Sequence, residues 1–269
     1  MAMNYDRLLV EPQGEICWVR INRPDDRNSI DSPLMEQLHR LLDELERTSV
    51  RAVVFTGAGP TYFIGGADGV EMMRLGPEGA RDFSRRIQEL FNRMERSPLL
   101  LVAAINGLCF GGGFEFALAC DLRLAGQTAR IGLPEVKVGI IPGGGGTQRL
   151  PRLIGVGRAM EAILSGQLYP AAEALELGLI HQAVPSEDLV KEAAARLSRF
   201  LRLPAHALGL AKRAVKASQY YDLPAGLEAE AAEFSRCFEN DFFRNLMREQ
   251  LNQGILATTA RTEDSKEAS

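Results

Sequence analysis

Apolar positions recur along this chain with two different periods. Within 28–48 they fall at Leu34, Leu38, Leu41, Leu42 and Leu45, the spacing of one helix face. Asp31 or Ser32 ahead of Pro33 supplies an N-cap and a first-turn proline. The same spacing returns at Phe83, Ile87, Leu90, Phe91 and Met94, so 80–96 is a second helix, stopped by Pro98. Residues 76–79, between two glycines, read as a flexible turn. Strand-like runs occupy 8–10 and 16–21, joined by the turn-prone Glu11-Pro12-Gln13-Gly14. Two more buried strands cover 52–55, ending at Thr56-Gly57, and 99–105, ending at Asn106-Gly107. Further helices are expected over 157–164, 171–177, 186–201 with Ser186 as N-cap, 205–220 and 224–238. Strands that alternate with helices, followed by a mostly helical last third, predict an α/β architecture.

The stretch 99–150 carries the candidate chemistry. After Asn106-Gly107 come three glycines, Gly111 to Gly113, and then an apolar run whose one charged residue is Glu115. This predicts a buried helix opened by glycine, with a carboxyl group near its first turn. A second acid, Glu135, sits in Leu-Pro-Glu-Val, and a second glycine run, Gly143 to Gly146, follows Pro142. Glycine runs commonly mark tight turns, and a lone buried Glu can be satisfied by backbone donors. Two such acids are harder to explain structurally, because burying an ionised carboxylate is costly.

Composition narrows the alternatives. A chain of 269 residues, 46% hydrophobic, can bury the core of a single domain. A net charge of −4 and the lack of a Lys/Arg run give no general attraction to nucleic acid or an anionic membrane. No apolar run approaches the ~20 residues of a membrane helix, and the N-terminus lacks a signal-peptide pattern. Cys17, Cys109, Cys120 and Cys237 show no CxxC spacing, which suits reduced thiols and a cytoplasmic location. His39, His181 and His206 are scattered and form no metal-ligand motif. Neither glycine run is followed by Lys-Ser or Lys-Thr, the first does not spell GxGxxG, and GxSxG is absent.

The residues 103–107, Gly111-Gly112-Gly113-Phe114-Glu115, Cys120-Asp121 and the run from Leu133 through Pro134-Glu135 to Gly143, continued by 145–150, together resemble the crotonase (enoyl-CoA hydratase/isomerase) superfamily. The similarity extends over about 5–241. It implies a spiral of repeated strand–strand–helix turns, with a core over 1–200 and a helical oligomerisation region over 201–257; the polar composition of 258–269 reads as a disordered tail. It implies an acyl-CoA thioester substrate, a homotrimer or a pair of trimers, and no cofactor, since coenzyme A is part of the substrate. By motif position Glu115 and Glu135 are the catalytic acids, and the backbone N–H groups of Ala67 and Gly112 form an oxyanion hole. Substrate contacts fall to Arg27, Ala67, Asp68, Gly69, Val70 and Gly112. Gly69 and Val70 stand where relatives often have a larger apolar residue and a polar one. The segment 246–251 replaces a Lys-Arg-x-Pro-like element of relatives, so nucleotide contacts do not carry over there.

Possession of both acids favours hydration of a 2-enoyl-CoA to a 3-hydroxyacyl-CoA. A double-bond isomerase, or a hydratase specialised for cyclic or branched acyl groups, is the nearest alternative. The non-enzyme alternative is an RNA-binding homologue, which predicts affinity that falls steeply with salt.

Overall fold

The computed structural model describes residues 5–253. Its strands, in chain order, are β1 (Leu8–Gln13), β2 (Ile16–Ile21), β3 (Ala52–Gly57), β4 (Tyr62–Ile64), β5 (Leu100–Ile105), β6 (Leu108–Phe110), β7 (Leu122–Gly126), β8 (Arg130–Gly132), β9 (Leu168–Pro170) and β10 (Gln182–Val184). The helices are α1 (Ser32–Leu45), α2 (Gly69–Met72), α3 (Pro77–Arg96), α4 (Gly112–Ala119), α5 (Gly146–Ile154), α6 (Val156–Ser165), α7 (Ala171–Glu176), α8 (Leu189–Leu201), α9 (Ala205–Ala217), α10 (Leu223–Arg236) and α11 (Phe242–Asn252). The chain divides into two compact units, with the second beginning at Leu210.

In the first unit a six-stranded sheet runs β1-β2-β3-β5-β7-β10, and a four-stranded sheet runs β4-β6-β8-β9. β1 and β2 form an antiparallel hairpin, and the remaining pairs of the larger sheet are parallel. The chain passes repeatedly from a strand of the larger sheet to one of the smaller and then into helix, as in β3–β4–α2–α3 and β5–β6–α4. This is the spiral of strand–strand–helix turns, and the chain has the expected α/β class.

The near-continuous apolar runs of β3 and β5 follow from burial on both faces. Val53, Phe55, Leu101, Ala103 and Ile105 enter the main core with α1, α3 and α4. Their alternates Ala52, Val54, Val102 and Ala104 enter a smaller core under Leu189, Ala193 and Leu197 of α8. A period of two thus splits one hydrophobic strand between two layers.

Several boundaries differ from the sequence reading. The hairpin turn is shifted: β1 runs through Pro12 to Gln13, and Gly14 takes φ +62° at the turn. Pro12 is tolerated because β1 is an edge strand. Asp31, not Ser32, caps α1, accepting from the Leu34 N–H at 2.9 Å. Residues 76–79 are not a flexible turn, since Gly76 is the N-cap of α3 and Pro77 its first residue. Ser186 does not cap the long helix. A 3-10 turn, Ser186–Asp188, precedes α8, and the Ser186 hydroxyl instead lies 3.0 Å from that of Thr128. α11 and the short strands of the second sheet were not anticipated. The tail expected from 258 lies outside the described residues.

Candidate active site

The helix α4 begins at the place where three glycines permit close backbone packing. Gly111 adopts φ +57° between β6 and α4. A Cβ on Gly113 would meet the Ile64 carbonyl oxygen at 2.0 Å, so only glycine lets the start of α4 lie against β4. A Cβ on Gly112 would stand 3.1 Å from the Ala67 nitrogen. Ala67 itself forms an isolated parallel bridge to Ile30, in which the Ile30 N–H donates to the Gly66 carbonyl and the Asp68 N–H to the Ile30 carbonyl. That pairing turns the N–H of Ala67 away from Ile30. Gly112, as the first residue of a helix, has no intrahelical acceptor. Among the described residues neither N–H has a hydrogen-bond acceptor. Two adjacent, unused amide donors at a helix N-terminus can hold developing negative charge.

The acids are cross-braced between the glycine runs. Glu115 is on the helix opened by the first run, yet its Oε1 accepts from the Gly146 N–H of the second, at 2.7 Å. Glu135 precedes the second run, yet its carboxylate lies beside the first: a Cβ on Gly111 would be 3.3 Å from Glu135 Oε1. Side chains are excluded likewise at Gly144, Gly145 and Gly146 of the second run. A Cβ on Gly144 would sit 2.6 Å from Glu115 Oε2 and 2.8 Å from the Phe91 ring.

The two acids differ in what they touch. Glu115 is fully buried, and burial raises its pKa, opposed by the backbone amides of Gly146, Gly144 and Gly145 and by the charge of Arg149. Glu135 opens a 3-10 turn, Glu135–Val138, and is half-buried. Its Oε2 is buried without any hydrogen-bond partner. Desolvation first, and the nearby Glu115 carboxylate second, push its pKa up to about 7. The sequence reading expects an anion favoured at Glu115 and a neutral acid at Glu135; burial raises the pKa of both carboxyls, and at Glu115 backbone amides and the charge of Arg149 oppose that rise. The amide donors that oppose the effect of burial at Glu115 come from the second glycine run.

A polar stripe on α3 holds the glycine loop, and sequence reasoning missed it. The Gly143 carbonyl accepts from the Ser84 hydroxyl at 2.7 Å and from the Gln88 amide at 2.8 Å. Arg149 donates to the Gly144 carbonyl at 3.0 Å, to Asn92 at 2.6 Å and to both oxygens of buried Glu95 at 3.2 and 2.9 Å. The available signal was the recurrence of Ser84, Gln88, Asn92 and Glu95 down one side of α3. A second overlooked brace is Asn106, whose amide oxygen accepts from Gly57 N–H and whose amide nitrogen donates to the Gly57 and Gly59 carbonyls.

The remaining predicted residues surround the 65–70 segment. Arg27 is exposed, and its carbonyl accepts from the Gly65 N–H at 2.9 Å. The Asp68 carboxylate is committed to structure. It caps α2 through the Val70 and Glu71 amides and pairs with Arg23 at 3.0 Å, which holds its pKa below the ordinary range. Gly69 has open space around it, and Val70 is exposed. Among the described residues no group of three His, Cys, Asp or Glu could hold a metal ion, and no helix is long and apolar enough to cross a membrane.

Comparison with known proteins gives the same family at every level. The family model described as enoyl-CoA hydratase/isomerase matches residues 11–254. A protein named short-chain-enoyl-CoA hydratase from Clostridium acetobutylicum is 35% identical over 246 residues, 91% of this chain and 94% of the relative. One named crotonyl-CoA hydratase from Syntrophomonas wolfei is 33% identical, over 88% of this chain and 91% of the relative. The crystal structure of an enoyl-CoA hydratase from Bacillus anthracis superposes with a TM-score of 0.86 at 35% identity, covering 93% of this chain and 97% of the other.

Proposed function

The chain belongs to the enoyl-CoA hydratase/isomerase family, and we propose that it hydrates 2-enoyl-CoA thioesters to 3-hydroxyacyl-CoA with Glu115 and Glu135 as its acid–base pair. The observation that carries the reading is the contrast between these two carboxyls at one site. Glu115 accepts from the Gly146 amide, whereas Oε2 of Glu135 is buried and unpartnered.

The chemistry follows from that contrast. Water is a poor nucleophile, so attack at the β-carbon needs a base that orients and deprotonates it. Glu115, with amide donors that favour its anion, takes that role. The α-carbon must receive a proton, and Glu135, with a pKa near 7, holds one to give at neutral pH. Charge builds on the thioester oxygen as the β-carbon is attacked. The Ala67 and Gly112 N–H groups stabilise it, and loss of one such donor typically costs about 10²–10³ in rate. Because the carboxyls interact, their protons titrate as a coupled system.

The names of the relatives support a short-chain 2-enoyl-CoA as the first substrate to try. Incubation with crotonyl-CoA in ¹⁸O-labelled water is expected to yield 3-hydroxybutyryl-CoA that carries the label. Migration of the double bond of a 3-enoyl-CoA, with no oxygen incorporated and no hydration of the 2-enoyl thioester, would establish an isomerase instead.

A further inference from the structure

The acid–base pair accounts for Glu115 and Glu135 but leaves a buried ion pair behind them unused. We propose that Arg149 is a positioning residue for Glu115: clamped by Glu95 and Asn92 of α3, it holds the Gly144–Gly146 amides against the Glu115 carboxylate and sets a positive charge behind it.

The geometry makes Arg149 a hub between the helix α3 and the glycine loop. Its guanidinium spends one N–H on the Gly144 carbonyl and forks onto both oxygens of Glu95. Arg149 crosses over Gly145 so closely that a Cβ there would stand 2.2 Å from Nη1, and Gly145 takes φ +109°. The loop conformation and the arginine therefore specify each other. With Asn92 Oδ1 the guanidinium meets four acceptor atoms, which a planar five-donor fork can satisfy together and the three donors of an ammonium group cannot. The carbonyl of Gly144 is pinned outward to Arg149 while the Gly146 N–H donates inward to Glu115. The charge adds to the geometry, since Arg149 acts to lower the pKa of Glu115 against the effect of burial.

The groups that bear on Glu115 can be named from each element packed against α4. α5 brings Arg149, and α3 brings Glu95 behind it. The 3-10 turn brings Glu135, while β4 and β6 carry Tyr62 and the buried thiol of Cys109. Glu95 thus acts as a counter-charge that attenuates Arg149. This predicts opposite effects from the two partners of one ion pair, which a merely structural brace would not produce.

The test reads the Glu115 carboxyl directly, and only its kinetic consequence rests on the hydratase reading. Protein labelled with ¹³C at the glutamate carboxyl carbon is titrated by NMR, and Glu115→Gln identifies the resonance. Arg149→Gln is expected to raise the midpoint of Glu115 by about one pH unit or more. Glu95→Gln is expected to lower it, because Arg149 then acts without its counter-charge. The double variant Arg149→Gln/Glu95→Gln leaves no unpaired buried charge and stands in where Arg149→Gln does not fold; its midpoint is also expected to rise. Arg149→Lys keeps the charge but not the fork, so its midpoint stays near that of the wild type while kcat falls and KM changes little. An unchanged Glu115 midpoint in Glu95→Gln and in the folded Arg149→Gln or double variant overturns the proposal. Opposed shifts in a protein that hydrates no enoyl-CoA would refute the hydratase reading and keep this one. Active enzyme without the shifts would do the reverse.

Discussion

Replacing Glu135 with Gln is expected to make the protein more stable at pH 8 while it disables turnover. Glu135 holds its proton to about pH 7 in the folded chain, against an ordinary value of 4.5. Below pH 4.5 it is protonated whether the chain is folded or not, and the substitution changes little. Between 4.5 and 7 the unfolded chain releases this proton while the folded chain keeps it. The folded state then binds more protons, so its stability falls as pH rises through that window. Above pH 7 the full cost is present. At about 1.4 kcal/mol per pH unit, the difference corresponds to about 3 kcal/mol. Glu135 is only half-buried, so residual solvation reduces this to about 2 kcal/mol. A neutral Gln of the same size never ionises and so avoids the cost. For a chain of this size the gain is roughly 4–8 °C in melting temperature. Thermal unfolding of ligand-free wild type and Glu135→Gln, followed by circular dichroism from pH 4 to pH 8.5, measures it. The gap between the two should be near zero at pH 4 and open through the window. A gap independent of pH, or a less stable variant at pH 8, would refute the reasoning.

Other expectations follow from individual contacts. Gly144→Ala has an unstrained backbone but drives a methyl group into Glu115 Oε2 and Phe91, so turnover should fall by about tenfold or more with the fold retained; steady-state kinetics at unchanged circular dichroism checks this. Asp68→Ala removes the cap of α2 and leaves Arg23 with one fewer carboxylate, at a cost of about 1–2 kcal/mol in denaturant unfolding. In the second unit Phe234, Phe238 and Phe243 form a contiguous ring cluster, with centroids 5.4 and 5.5 Å apart, yet all remain part-exposed. Together with exposed Phe242 they offer an apolar surface that the homotrimer or pair of trimers expected from the family resemblance would cover, and a monomeric mass by light scattering at micromolar protein would contradict that assembly.

The parts of the fold carried by long periodic segments were legible from sequence. Leu34 to Leu45 and Phe83 to Met94 show one apolar face each, and both became helices packed on the core. The three-residue strands of the second sheet were not legible, because segments such as Tyr62–Ile64 are too short to display a period. Ser186 shows the limit of local rules: a serine with capping chemistry found a partner in Thr128, distant in sequence. At the site, the two acids and the glycine runs stood out as candidates because each departs from its surroundings, a charge in an apolar run or glycines in series, while the Ala67 and Gly112 donors came only from the family resemblance. The support from Ser84, Gln88, Asn92, Glu95 and Arg149 was not, since polar residues on a helix usually face solvent. Their role depends on a loop 50 to 60 positions away coming to rest against α3, as the contacts of Ser84 and Gln88 with Gly143 show. At Asp68, expected to contact substrate, the carboxylate caps a helix and pairs with Arg23, contacts that no local pattern announced.

The central claim, that Glu115 and Glu135 together carry out hydration, is tested most directly by the rate at which single Gln variants hydrate crotonyl-CoA. Loss of the conjugated thioester's ultraviolet absorbance reports kcat/KM, and circular dichroism confirms that each variant is folded. Both Glu115→Gln and Glu135→Gln keep the side-chain size but cannot exchange a proton, so each is expected to lower kcat/KM by at least about 10²-fold. A folded Glu115→Gln or Glu135→Gln protein that hydrates crotonyl-CoA at nearly the wild-type rate would contradict the account.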